Sequence, residues 1–440
     1  MTWLQRYKLR LYIRSSFWLF PALSVFAGLI IAAIVSRLEN EFGLEAKIST
    51  DNARGILGMT AASLFSLVVL VTSAVLLAIQ LSSAQLTPRI INIVYRDPSR
   101  KAVLSCFAFT FTFSVGVLVR IEDKVPLISA YLAAYGFLVN LALFLIFIDG
   151  IGKALRPSAI LSTVALIGRD VILSVYPRQL DHTNMTRPGP LTLTDEKPER
   201  SIFNQVDGVM LAFDLEGLVL LAEHHDCVIE LVPEVGDFVA AGDPLFRIFN
   251  GGKAIPAGLL QSSVAVGIER TTEQDPMFAF RIMVDIASKA LSPAINDPTT
   301  AVLAIDQIHH LLREVGKRYL AEGRAFDQKG ELRLVYSTPN WEDFVRLAVT
   351  EIRQYGRDSM QVMRRLRALL QNLVESLPDM REPMLVRELQ LLDNSIKRTF
   401  PDIEDQTVAA TADFQGLGGS REAHISRVAR RKKAAARTGS

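Results

Sequence analysis

Two cysteines in 440 residues cannot build a disulfide framework. Cys106 sits inside an apolar run, so pairing it with Cys227 is not expected either. Charge of one sign is equally scarce: 48 Lys and Arg face 46 Asp and Glu, a formal net charge of +2. No global field points to nucleic acid as a partner. The familiar catalytic spacings are missing as well: there is no P-loop, Rossmann fingerprint, H-E-x-x-H, G-x-S-x-G or Cys/His zinc spacing. A non-enzyme without cofactor or metal is therefore favoured, and a membrane-bound enzyme is the third of three function classes.

Apolar residues are abundant. They make up 50% of the chain against 21% charged, a balance too greasy for an ordinary soluble protein. Four runs hold them: residues 15–35, 56–79, 102–119 and 126–148, none containing Lys, Arg, Asp or Glu. Each is near or above the roughly 18 residues that cross a bilayer as a helix. Phe107, Phe109, Phe111 and Phe113 alternate as in a strand. A lone strand in lipid leaves its backbone groups unpaired, so helix is expected there. The first run spans 21 residues with no small-residue cleavage site after it, and reads as a retained span rather than a signal peptide.

Orientation follows from the cations. Arg6, Lys8, Arg10 and Arg14 precede the first span, Arg89, Arg96, Arg100 and Lys101 separate the second from the third, and Lys153, Arg156 and Arg169 follow the fourth. The opposite side holds Arg37, Lys47, Arg54, Arg120 and Lys124. Eleven against five places both termini in the cytoplasm. Trp3, Tyr12 and Trp18 lie near the inner boundary, where amphipathic rings collect.

The second span carries a polar stripe. Ser66, Ser73, Gln80 and Thr87 recur every seven residues, with Ser63 and Ser83 near the same face. Such a stripe either packs closely on a neighbouring helix or lines a water-filled path, and the second requires several subunits. Beyond it, Pro88 and Arg89 mark a bend at the cytosolic surface, where Arg89 and Arg96 are expected to meet lipid phosphates.

Residues 158–176 are apolar but hold Arg169 and Asp170, and read as an amphipathic connector rather than a fifth span. A polar, proline-rich linker follows. From Ser201 the period shortens: "GLVLLAEHHDCVIELVPEVGDFVAAGDPLFRIF" reads as short strands punctuated by Gly-Asp turns. Adjacent His224 and His225 on a strand point to opposite faces, which favours a solvated strand end over a metal site. From Thr271 onward the chain reads as mostly helical. In "SKALSPAINDPTTAVLAID" Pro293 ends one helix, Asn296 sits in the turn, and Asp297 with Pro298 starts the next, repeating the Asp275–Pro276 device. Asp285, Asn296, Asp297, Asp306, His309 and His310 would draw together if those helices form a hairpin. Asp306 and His310, four apart, are a candidate site for an ion or small ligand, set against surface pairing or a subunit contact.

The organisation expected is a four-helix transmembrane domain (1–150), a connector helix and polar linker (151–200), a small β-rich domain (201–267), a helical cytosolic domain (268–415) and a basic disordered tail (416–440). The fold class is a multi-pass α-helical membrane protein with an α+β cytosolic domain, a small β-sandwich or barrel-like part followed by an α-helical part. The tail cluster at 430–433 is expected to touch anionic lipid.

Two resemblances add to this reading. The pattern "VPEVGDFVAAGDPLF" resembles the half-motif of biotinyl and lipoyl barrel-sandwich domains, without the methionine-flanked lysine such carriers present. "LSSAQLTPRII", "DFVAAGDPL", "ERTTEQDPMFAF" and above all "DIASKALSPAINDPTTA" resemble the bacterial membrane proteins catalogued as domain of unknown function 2254. The latter resemblance implies four membrane helices followed by a cytosolic domain, and no activity. The function expected is an oligomeric channel or transport-like protein with a cytosolic sensing or gating domain. The alternative is a membrane-anchored scaffold or sensor that binds a small ion or a cytosolic protein. Lipid bilayer and further copies of the chain are the partners expected.

Overall fold

The computed structural model describes residues 1–43, 49–91, 93, 97–121, 125–180, 197–320 and 323–418. These form two compact units: Lys8–Ile160, and Met1–Tyr7 together with the chain from Leu161 onward. The basic tail from residue 419 on, with its 430–433 cluster, lies outside the described residues.

The first unit is helical. After α1 (Trp3–Ser15) come α2 (Leu19–Phe42), α3 (Thr50–Gln85), α4 (Pro98–Leu118) and α5 (Leu127–Ala154). Starts are set by caps: the Ser49 hydroxyl accepts from Asn52 N, and the Asp97 carboxylate accepts from Ser99 N, with Pro98 in the first turn. The alternating phenylalanines are wound into α4, where Phe107 and Phe113 are buried.

Small residues let α2 and α4 approach. Gly28, Ala32 and Ser36 form a buried stripe on α2 at intervals of four. A Cβ added at Gly28 would meet the Thr112 hydroxyl and come within 2.7 Å of the Phe109 carbonyl oxygen. One added at Gly116 would lie 2.8 Å from Ala32 Cβ. Close backbone contact of this kind is how helices associate where no hydrophobic drive operates between them. Two apolar clusters fill the bundle, one around Leu57, Phe113 and Val117, the other around Val75, Leu104, Phe107 and Phe147. Leu23, Phe26, Ile30 and Ile34 on α2 and Leu138, Leu145 and Ile146 on α5 stand exposed. An apolar jacket of that extent belongs in lipid.

Five described helices are long and apolar enough to cross a membrane. The fifth is α6 (Pro157–Val175), the segment read from sequence as a connector. Leu161, Val164, Ala165, Gly168 and Ile172 bury one face of it. Gly168 faces Ala279 and Leu311, and Tyr176, just past the helix end, stands edge-on to Phe344 at 6.2 Å. From Leu161 on, α6 thus packs into the core of the second unit.

That unit contains two sheets around one core. Strands β1 (Arg200–Phe203), β2 (Gly208–Phe213), β3 (Val228–Leu231), β4 (Phe238–Val239), β5 (Pro244–Phe249) and β6 (Val264–Gly267) come from the expected β segment. Residues 215–224 depart from the strand reading and form α7 (Leu215–His224), because Asp214 accepts from Gly217 N and Leu, Ala and Glu dominate the segment. His224 and His225 therefore end a helix, not a strand. A five-residue helix, α8 (Ala257–Gln261), precedes β6. Two further strands, β7 (Arg324–Phe326) and β8 (Leu332–Tyr336), come from inside the stretch read as helical. The five-stranded sheet runs β1-β5-β3-β8-β7 and the three-stranded sheet β4-β2-β6. β8 lies parallel to β3 with Ile229 beside Leu334. Ile229, Phe246, Ile248 and Leu334 are fully buried in the shared core. Gly236 and Gly242 hold φ near +101° and +93°, the left-handed turns expected of the two Gly-Asp pairs.

The rest is helical: α9 (Pro276–Ala290), α10 (Pro298–Gly316), α11 (Trp341–Tyr355), α12 (Met360–Ser376), α13 (Glu382–Thr399) and α14 (Ile403–Ala409). Asp275 and Asp297 cap α9 and α10, accepting from Phe278 N and Thr300 N at 3.0 and 3.1 Å. Asn340 and Asp343 start α11 with a reciprocal capping box.

Candidate functional site

Four polar residues of α3 point away from the rest of their own bundle, whereas Ser82 is buried. Its buried face is Leu57, Ala61, Leu64, Val71, Val75 and Ala78; Ser63, Ser66, Ser73 and Gln80 are exposed. The Ser66 hydroxyl bonds back to Ala62 O at 3.0 Å, within its own helix. Thr87 leaves the stripe, because α3 ends at Gln85. It is buried and caps a short 3-10 turn, Pro88–Ile90, by accepting from Arg89 N. Arg89 is exposed there. Arg96 lies outside the described residues.

The polar residues around the α9–α10 turn are engaged separately. Asp285 accepts from Arg281 Nε at 2.6 Å, and the same guanidinium grips Glu351 through bonds of 2.6 and 2.7 Å. Asp297 holds both the amide and the hydroxyl of Thr300. Asn296 adopts φ of 47° in an exposed turn closed by Asp297 N donating to Ala290 O at 2.8 Å. Arg365, not His310, is the partner of Asp306, at 2.5 Å. His310 is exposed, and His309 turns inward with Nε2 2.9 Å from Asn372 Oδ1. Burial beside the Arg365 guanidinium pushes the His309 imidazole down to about 4. Among the described residues, no group of three or more His, Cys, Asp or Glu is placed to hold a metal ion.

Sequence reasoning missed two polar constellations. In the bundle, Glu39 near the end of α2 is 2% exposed. Its carboxylate accepts from the backbone of Ile128 and Ser129 and from the Ser129 hydroxyl, and so caps α5 from another helix. Midway along α5, Asn140 is fully buried, and neither its amide oxygen nor its nitrogen has a hydrogen-bond partner. A buried acid just past an apolar run was a readable signal for the first. No signal marks which face Asn140 takes.

In the second unit, Glu234 lies in the turn before β4, where Asp237, Asp275 and Asp343 surround it and Arg270 opposes them. Burial, reinforced by those carboxylates, pushes Glu234 up to about 7. Asp275, 3% exposed, takes Arg270 Nε and the α9 N-terminus, yet burial outweighs both and raises its carboxyl. The Tyr176 hydroxyl, 3.2 Å from Thr338 Oγ1, is raised by burial as well. Gly236 holds a left-handed φ in this turn, and a Cβ there would displace the Arg270 guanidinium.

No solved structure matches the chain. Among curated proteins it is similar to uncharacterized proteins of Mycobacterium bovis and Mycobacterium tuberculosis, 26% identical, with 91% of this chain and 80% of theirs covered. The family described as predicted membrane protein (DUF2254) matches residues 14–372. With lipid-facing helices in front and a sheet-containing domain behind, the chain belongs to the DUF2254 family of membrane proteins.

Proposed function

We propose that the protein is an oligomeric channel or transport-like protein of the bacterial inner membrane, with both termini and the second unit in the cytosol, where that unit senses or gates. Four helices, α2 to α5, span the bilayer. α6 serves as the connector, since its open face carries Arg169 and Asp170 and its other face joins a soluble core.

The carrying observation is the line of polar residues on the outward, otherwise largely apolar face of α3. The helix runs 36 residues, about 54 Å at the usual rise, against a hydrocarbon core of roughly 30 Å. Ser63, Ser66, Ser73 and Gln80 line its exterior, whereas the interior of the bundle is closed by the Gly28–Thr112 and Gly116–Ala32 contacts. A polar path fits between copies, with α3 as its wall. Purified protein in planar bilayers is expected to pass current, and Ser73→Trp to reduce it. A silent bilayer with correctly assembled protein, or a monomer by mass in nanodiscs, overturns the proposal. A second reading, a membrane-anchored ligand sensor that conducts nothing, is favoured by an arginine-lined cleft between α11 and α13.

A further inference from the structure

We infer that this cleft binds a phosphate-bearing ligand. It is a cavity of about 620 Å³ between the C-terminal ends of α11 and α13, within the size range of small-molecule sites. Three arginines line it: Arg353 from α11, Arg357 from the loop that follows, and Arg398 from α13. Ser395 and Thr399 belong to the same wall, and Asp358 is the one acidic residue of the lining. Guanidinium forks with nearby hydroxyls are the chemistry that recognises phosphate oxygens.

Local roles do not exhaust these cations. Arg353 and Arg398 sit in the last turns of their helices, where positive charge complements the helix dipole. Arg398 Nε accordingly donates to Asn394 O at 3.1 Å. Neither role brings Arg357 to the cavity. Its pairing with Asp358, at 3.6 Å and with both side chains more than half exposed, is the kind worth little in water. Arg353 is the distinctive member. It is 7% exposed, its Nε stands 3.5 Å from Glu388 Oε2, and neither of those two buried atoms has a hydrogen-bond partner. The ion pair with buried Glu388 holds Arg353 in place at the wall of the cavity, and the exposed Arg357 and Arg398 supply the forks that an anion can take. The site stands whether or not the membrane unit conducts.

The test uses the full chain in phosphatidylcholine nanodiscs, with inorganic pyrophosphate as probe and sodium chloride at matched ionic strength as control. Pyrophosphate is expected to raise the melting temperature of the second unit. Arg353→Gln strands Glu388 in the interior and can fail to fold, so the exposed Arg357→Gln and Arg398→Gln variants carry the comparison. Each is expected to weaken the apparent affinity about tenfold, the size of one lost charge-assisted hydrogen bond. No rise in the wild type, or an undiminished rise in both variants, overturns the inference. Repeating the titration in nanodiscs with phosphatidylglycerol separates two sources of the same phosphate chemistry. Weakened pyrophosphate binding there identifies a lipid headgroup as the occupant, and unchanged binding identifies a soluble phosphate compound.

Discussion

Raising the pH takes a proton from Glu234, and the fold resists that loss. The carboxyl is half-buried and ringed by Asp237, Asp275 and Asp343, with Arg270 as the opposing charge, and its pKa stands at about 7 against an ordinary 4.5. In the unfolded chain the same group ionises first. Between those two values the folded state holds more protons than the unfolded one, so stability falls as pH rises. It is fully present below pH 4.5 and lost through about pH 7. At about 1.4 kcal/mol per unit the ceiling is roughly 3 kcal/mol. Partial solvation of the side chain brings the expected effect to the order of 2 kcal/mol.

The assay is thermal melting of the solubilised full chain from about pH 4.5 to about pH 8, comparing wild type with Glu234→Gln, which keeps the shape and removes the titration. The wild type is expected to lose several degrees more than the variant across that window. Asp343→Asn removes one of the surrounding charges and is expected to shift the wild-type midpoint downward. Parallel pH profiles for wild type and Glu234→Gln refute the reasoning, because they leave no proton on Glu234 to be lost.

Three further outcomes are expected. His309, held down at about 4 by burial, contributes stability that is present above pH 6.5 and lost as pH falls toward 4; His309→Gln should flatten that acid limb by on the order of 2 kcal/mol in the same melts. Glu39→Ala removes the cross-helix cap from α5 and should destabilise the solubilised bundle by about 2 kcal/mol, read as a drop in melting temperature; a loss no larger than that of an exposed Glu41→Ala control contradicts the capping role. Gly28→Ala should lower the melting temperature by forcing α2 from α4, whereas Gly58→Ala on α3, with open space around its Cβ, should leave it unchanged or raise it by helix propensity.

The legible parts of this fold were those governed by neighbours in sequence. Asp275–Pro276 and Asp297–Pro298 predicted helix starts, and both aspartates cap at about 3 Å. The Gly-Asp pairs predicted turns, and Gly236 and Gly242 make them with left-handed φ. The apolar runs predicted long helices, and α2 to α5 cover them. What failed depends on partners far along the chain. β7 and β8 are short, and β8 is fixed as a strand by pairing with β3, roughly a hundred residues earlier, so no local period announced it. The strand reading of 215–224 took an apolar run for a strand where an Asp cap and Leu-rich composition ruled. The partner of Asp306 was hidden for the same reason: Arg365, 59 residues away, takes the carboxylate. A spacing of four puts two side chains on one face and says nothing about a third group that outbids one of them.

Polarity inside the bundle and polarity on its surface call for different explanations. Glu39 is satisfied by another helix of its own chain, so it is structural by its contacts. The Ser66 hydroxyl is satisfied by its own backbone, and a serine of that kind lies in lipid at little penalty. Gln80 is different, because a glutamine amide carries two donors and an acceptor that one turn of helix cannot absorb. It stands exposed near the C-terminal end of α3, beyond the last residue of the apolar run. Interfacial water can satisfy it there, so Gln80 by itself does not demand a path. Ser63 and Ser73 recur on the same helix deeper in the membrane, and together with Gln80 they turn isolated tolerances into a line. A single-copy bundle gains nothing from keeping such a line facing lipid, where leucine would stabilise insertion by a few tenths of a kcal/mol per site or more. A second copy, or water held between copies, makes the same residues favourable, and that is why subunit number carries more weight for this protein than any single side chain.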